Sequence, residues 1–100
     1  MVKHIVMWKL KEEAEGRNKA ENAKAIKEAL EALNGEIDGL EEIEVGIDIS
    51  NTEFSADIAL YSEFESKAAL ENYQDDPRHK AIKPLVGKAT KERRMVDYEV

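Results

Sequence analysis

The sequence predicts an α+β domain of the ferredoxin-like plan, with a four-stranded antiparallel sheet, helices on one face and the element order β-α-β-β-α-β. Three observations carry this. Glu41–Ser50 alternates apolar and polar residues with the period of a strand, and Val2–Leu10 reads as a strand with apolar residues on both faces. The stretch before Asn34-Gly35 and the stretch Glu71–Val86 place apolar residues at helical spacing. Consecutive elements usually pack as neighbours and parallel crossovers are right-handed, which folds this order into the ferredoxin-like sheet.

In Val2–Leu10, His4, Val6, Trp8 and Leu10 face one way, and Ile5 and Met7 face the other between Lys3 and Lys9. Apolar residues on both faces mean that both are at least partly covered. Helices of the same chain can cover one face, and a second subunit is the simplest cover for the other. Lys11–Arg17 is a charged loop with Gly16 as its breaker. Asn18 followed by Glu21 resembles a capping box, so a helix runs from there to about Leu33. Its buried stripe is Ala20, Ala23, Ile26 or Lys27, Leu30 and Leu33. Asn34-Gly35 stops it, and Glu36–Leu40 is a connector.

Glu41–Ser50 puts Ile43, Val45, Ile47 and Ile49 on one face. Phe54–Phe64 is the third strand, with Ile58, Leu60 and Ser62 on one face and Asp57, Ala59 and Tyr61 on the other. Ser66 caps a helix over Lys67–Tyr73. Asp76-Pro77 starts a short helix to Val86, since Asp accepts at the N-cap and Pro fits the first turn. That helix is expected to be irregular near Pro84 and to close at Gly87. Lys91–Glu99 is the last strand, with Arg93, Met95 and Asp97 on one face and Arg94, Val96 and Tyr98 on the other. The uncovered sheet face, expected to be rich in Ile and Val, is the candidate for a homodimer in which two sheets close a dimeric α+β barrel.

Composition narrows the function classes. One hundred residues make a single domain, 1–100. A net charge of −7 argues against nucleic acid or an anionic membrane as partner. The chain has no cysteine, so disulfides and thiol chemistry are excluded. No apolar run approaches the ~20 residues of a membrane helix, and the N-terminus lacks the pattern of a signal peptide. A cytoplasmic protein is the expectation.

The segment Glu71–Val86 holds the candidate chemistry. His79 sits in the first turn of its helix, and Tyr73 lies near the end of the preceding one. An imidazole titrating near neutrality can remove a proton beside a carbonyl, and a phenol can donate to the developing oxygen anion. The structural alternative is a capping histidine beside a tyrosine that plugs the core. His4, Val6, Trp8 and Asp97 are candidate ligand-binding residues, the first three on the strand face below, or simply core. Asp57 and Asp97 are strand acids that can hold a histidine in one tautomer, or bond to backbone. Asp75, Asp76 and His79 are too few and too clustered for a closed metal site, so neither a metal nor another cofactor is expected.

The stretch Val2-Lys3-His4-Ile5-Val6-Met7-Trp8-Lys9-Leu10 resembles the opening strand of the stress-responsive A/B barrel (Dabb) domain family. Asn72-Tyr73-Gln74-Asp75-Asp76-Pro77-Arg78-His79 resembles that family's Tyr-x-x-His-Pro-x-His signature. The likeness spans the chain and includes the closing Val96-Asp97-Tyr98. It implies a dimeric barrel of two ferredoxin-like subunits. One plant member, olivetolic acid cyclase, closes a linear polyketide by aldol condensation. The resemblance maps its catalytic tyrosine and histidine onto Tyr73 and His79, and its opening-strand histidine onto His4. The chain departs at Asp76, where the signature has its first histidine, and at Asp57, where the cyclase has another. With six aromatic residues it also has a thinner aromatic wall, so the cyclase's substrate does not carry over.

Three functional expectations follow. The first is a small-molecule binding protein or enzyme with a pocket between sheet and helices, using His79 as base and Tyr73 as donor. The second is a non-catalytic stress-related or interaction module with a filled core. The third is a monooxygenase-like or haem-handling barrel, which shares the architecture.

Overall fold

The computed structural model describes residues 1–100. Its elements run β1 Val2–Leu10, β2 Glu13–Ala14, β3 Arg17–Asn18, α1 Lys19–Glu31, β4 Leu40–Ile47, β5 Ile58–Phe64, α2 Lys67–Asp75, α3 Pro77–Ala89 and β6 Thr90–Glu99. The main sheet is antiparallel throughout, with strand order β4-β5-β1-β6. This is the predicted ferredoxin-like α+β plan. No helix is long and apolar enough to cross a membrane.

The strand period decides which face is which. Val2, Val6, Trp8 and Leu10 of β1, Ile43 and Val45 of β4, and Ile58, Leu60 and Phe64 of β5 are all buried. They meet Ala23, Ile26 and Leu30 of α1 and Ala69, Leu70 and Tyr73 of α2 in one cluster of 19 buried hydrophobic residues. The Ile- and Val-rich face is therefore the covered one, which corrects the expectation that it lies open. The helices' apolar stripes bury the larger apolar area, and that area is here. The open face carries Ile5, Met7, Ala59, Val96 and Tyr98 among charged residues. Lys3 lies over the Tyr61 ring there, 5.6 Å from its centroid.

Several boundaries differ from the sequence reading. β4 ends at Ile47 and not Ser50, and Ile49 is 93% exposed. β5 begins at Ile58 and not Phe54, because Thr52–Ser55 closes a turn and leaves Phe54 89% exposed. The loop after β1 contains a two-stranded hairpin, β2 with β3, turning at Glu15 (φ 54°) and Gly16 (φ 76°). Two consecutive positive φ values match the twist of a tight hairpin. Buried Asn22 fastens this hairpin to α1, donating to the carbonyls of Ala14 and Arg17. Ala20 is exposed, and Asn22 holds the buried place beside Ala23.

Four features position the site. The capping box at Asn18 and Glu21 is present with both hydrogen bonds, at 2.8 and 2.9 Å. At the end of α1, Lys27 donates to the Val45 carbonyl (2.6 Å) while Glu31 accepts from the Val45 N–H (3.0 Å). The helix thus occupies the free edge of β4 at Val45. Gly39, at φ +83°, lets α2 approach closely, since a Cβ there would fall 2.5 Å from the Ala69 Cβ. Finally, α3 runs through Pro84 and Gly87 to Ala89, longer than expected. Proline here removes one N–H bond without ending the helix, and Ala89 is the sole α3 residue fully buried.

Candidate functional site

The site lies where α2 meets α3 over β1 and β6. Asp76 makes the bend, donating its N–H to the Tyr73 carbonyl (3.2 Å) and accepting from Arg78 N (2.8 Å). It therefore closes one helix and opens the next. The Arg78 guanidinium grips both carboxylate oxygens at 3.0 and 2.9 Å, which pulls the Asp76 pKa down to about 2. Pro77 fills the first position of α3. The bend brings Tyr73 and His79 face to face, with ring centroids 4.1 Å apart and planes inclined 35°. Phe64 and His4 complete the ring cluster, 5.0 and 6.3 Å from Tyr73.

Beside this cluster is a cavity of about 440 Å³ that opens to solvent. Val6, Trp8, Leu30, Leu60, Ile82 and Val86 form its apolar walls, and His4, Gln74, His79, Lys83, Thr90 and Arg93 supply polar groups. His4, Val6, Trp8 and His79 thus line one hollow. Two further candidates stand behind the wall. Tyr73 is fully buried against the far side of His79. Asp97 contacts the site through His4, its carboxylate lying 2.5 Å from His4 Nδ1.

That contact fixes the histidine. A carboxylate only accepts, so Nδ1 of His4 carries the proton, and Nε2 makes no bond to the protein. Asp57 does different work: it accepts from Leu10 N (2.7 Å), donates its own N–H to the Trp8 carbonyl (2.8 Å), and lies 3.5 Å from Lys19. It anchors the kink where β1 shifts register at Lys9/Leu10. No group of three or more His, Asp or Glu side chains is placed to hold a metal ion.

Three buried polar atoms around the site lack a hydrogen-bond partner in the protein: Trp8 Nε1, the Tyr73 hydroxyl and His79 Nδ1. The Gln74 backbone favours protonation of His79 as a nearby dipole, but no group meets hydrogen-bond geometry with Nδ1. Burial lowers the His79 pKa from its ordinary value, with the Lys83 ammonium contributing, so the ring is neutral at pH 7. Burial raises the Tyr73 pKa, so its hydroxyl keeps the proton.

The sequence reading missed Gln74, Lys83, Thr90 and Arg93. Two of these had a signal. Lys83 is one helical turn beyond His79, and Arg93 shares the strand face of Asp97. Thr90 donates to the Val86 carbonyl at the α3 terminus and had none.

Comparison with known proteins gives the same architecture. A protein of Bacteroides fragilis, dimeric, of ferredoxin-like fold and of unknown function, superposes with a TM-score of 0.87 at 36% identity, covering 99% of this chain and 95% of that one. A hydroxynitrile lyase of Passiflora edulis superposes with a TM-score of 0.76 at 18% identity, over 97% of this chain and 90% of that one, a likeness of fold alone. An uncharacterised protein of Streptomyces coelicolor is 32% identical over 81 residues, 81% of each chain. The family model of the stress responsive A/B barrel domain matches residues 2–100. With the ferredoxin-like sheet and a match across nearly its full length, the chain belongs to the stress-responsive A/B barrel (Dabb) domain family.

Proposed function

We propose that the protein binds a small organic molecule in the cavity between sheet and helices and abstracts a proton beside a carbonyl or similar electron-withdrawing group. The observation that carries this is a solvent-open hollow of about 440 Å³ whose wall joins apolar side chains to His4, Trp8 and a neutral His79. That volume is in the usual range of small-molecule sites, and it counts against a module with a filled core. His79 is the base: it takes the proton from carbon, and the electron pair moves onto the carbonyl oxygen. Tyr73 is assigned as donor to that oxygen, a role that requires the ligand to reach past the His79 ring. Asp97 orients His4, whose free Nε2 accepts from a ligand hydroxyl or from the proton in transit. The fold relative that is a hydroxynitrile lyase supports proton-transfer chemistry as within reach of this scaffold, by analogy.

The test is hydrogen–deuterium exchange into a panel of small β-dicarbonyl compounds, followed by NMR in D2O. The wild type accelerates exchange beside the carbonyl, and His79→Ala does not. Full retention in His79→Ala would exclude it as the base.

We further propose that the open sheet face pairs with a second copy. Met7, Val96 and Tyr98 are 44%, 50% and 42% exposed there, and the Bacteroides relative is dimeric. Sizing in solution should give a dimer that Val96→Glu dissociates. A wild-type monomer would refute the pairing.

A further inference from the structure

The cavity has an unbalanced charge. Acids outnumber bases in this chain, 22 to 15. Yet none of the 13 residues lining the cavity is Asp or Glu, while two are permanent cations, Lys83 and Arg93. Five cations of the chain are engaged by an acid: Lys19 with Glu12, Lys27 with Glu31, Arg78 with Asp76, Lys88 with Glu15 and Arg94 with Glu92. Lys83 and Arg93 form no such pair. They also stand on different walls, Lys83 on α3 and Arg93 on β6, where the register sets Arg93 opposite Trp8 and so on the helix-covered side of the sheet. Both are exposed, while Val6 and Leu30, which line the same cavity, are buried.

We infer that the ligand is an organic carboxylate, bound with its apolar body inward and its anionic end held between Lys83 and Arg93. This rests on the cavity being the ligand site. The arginine fork suits a carboxylate bidentately, and the lysine adds a mobile point charge. An anion at the mouth sets the direction of entry, leaving the carbon farther along the molecule beside His79. It also offsets the local excess of positive charge, which a neutral ligand cannot do. The same pair would attract the anion against the overall charge of the protein, since charges farther away than the ~8–10 Å screening length are largely screened.

The test compares 3-phenylpropionate with its neutral amide, 3-phenylpropionamide, by NMR titration of the protein, in wild type and in the double variant Lys83→Gln, Arg93→Gln. The wild type should bind the acid about tenfold or more tighter than the amide, and the preference should shrink when salt is raised from 50 to 500 mM. The double variant should bind both within about threefold of each other. Equal binding of acid and amide by the wild type overturns the carboxylate assignment and leaves the cavity reading standing. So does a preference that survives in the double variant. Absence of any shift at His4, Trp8 or His79 with either compound overturns both.

Discussion

Tyr73→Phe should make the protein more stable, and the reason lies in one oxygen. The Tyr73 ring is fully buried, packed against His79 and Phe64 with centroids 4.1 and 5.0 Å away, and its hydroxyl has no protein partner. Phenylalanine keeps every ring contact. Removing an unpaired buried hydroxyl relieves a desolvation cost of about 1–3 kcal/mol. The void left by one oxygen costs roughly 0.3 kcal/mol at the usual cavity coefficient. The net is a gain of about 1 kcal/mol or more, and in a domain of this size each 1 kcal/mol raises Tm by about 4–8 °C. Urea denaturation and calorimetry at fixed protomer concentration measure it, since a dimer's midpoint depends on concentration. Tyr73→Ala serves as the contrast and should lose about 3–5 kcal/mol with the ring. A Tyr73→Phe protein less stable by 1 kcal/mol or more would show that the hydroxyl is already bonded in the folded state, and would remove it as a donor held ready for a ligand. A more stable variant with weakened proton exchange on a β-dicarbonyl would mark the hydroxyl as kept for function at the expense of the fold.

Three further outcomes follow from the same geometry. The His79 ring, followed by NMR, should titrate below the ordinary 6.5, and Lys83→Gln should move its midpoint upward by removing a nearby cation; a wild-type midpoint above 6.5 contradicts this. Because the folded ring has the lower pKa, its contribution to stability is present above about 6.5 and fades as pH falls through the folded midpoint. Asp76 has its folded pKa depressed from 3.8 to about 2, so its contribution is complete above 3.8 and is lost as pH drops toward 2. Asp76→Asn keeps a capping oxygen and should flatten that part of an acid-denaturation curve; an unchanged curve would mean that the Arg78 pair is not formed in solution. Gly39→Ala forces a Cβ toward Ala69 at a φ of +83°. Left-handed strain and overpacking together should cost about 2 kcal/mol or more by urea midpoint, and an unshifted midpoint would refute the close approach of α2.

Much of this was legible in the chain. The period-two run through His4, Val6 and Trp8 identified the site's floor, and Asp76-Pro77 identified the bend that joins Tyr73 to His79. The helix caps at Asn18, Ser66 and Asp76 are all where their side chains predict. What sequence could not supply was competition between faces. Alternation in β4 places Ile43 and Val45 together, but whether that set meets helices or a partner depends on which area the helices bury more fully. The same limit applies to Tyr73. Spacing across the helix break puts it near His79, yet only the packed rings reveal that it stands behind the histidine while His79 faces the hollow. Lys83 and Arg93 were visible as residues but not as a pair, because only the folded chain brings α3 and β6 to the walls of one cavity.

Lys27 and Glu31, reaching from α1 to the N–H and C=O of Val45, have a consequence for assembly. Open-ended growth of a sheet by strand addition needs two available rims, one for each incoming copy. Here one rim is engaged at Val45 by the molecule's own lysine and glutamate, which leaves β6 as the freer rim. Copies meeting rim to rim would stop at a pair, so growth along the hydrogen-bonding direction is opposed in the native chain, and only loss of both Lys27 and Glu31 would free Val45 on that rim.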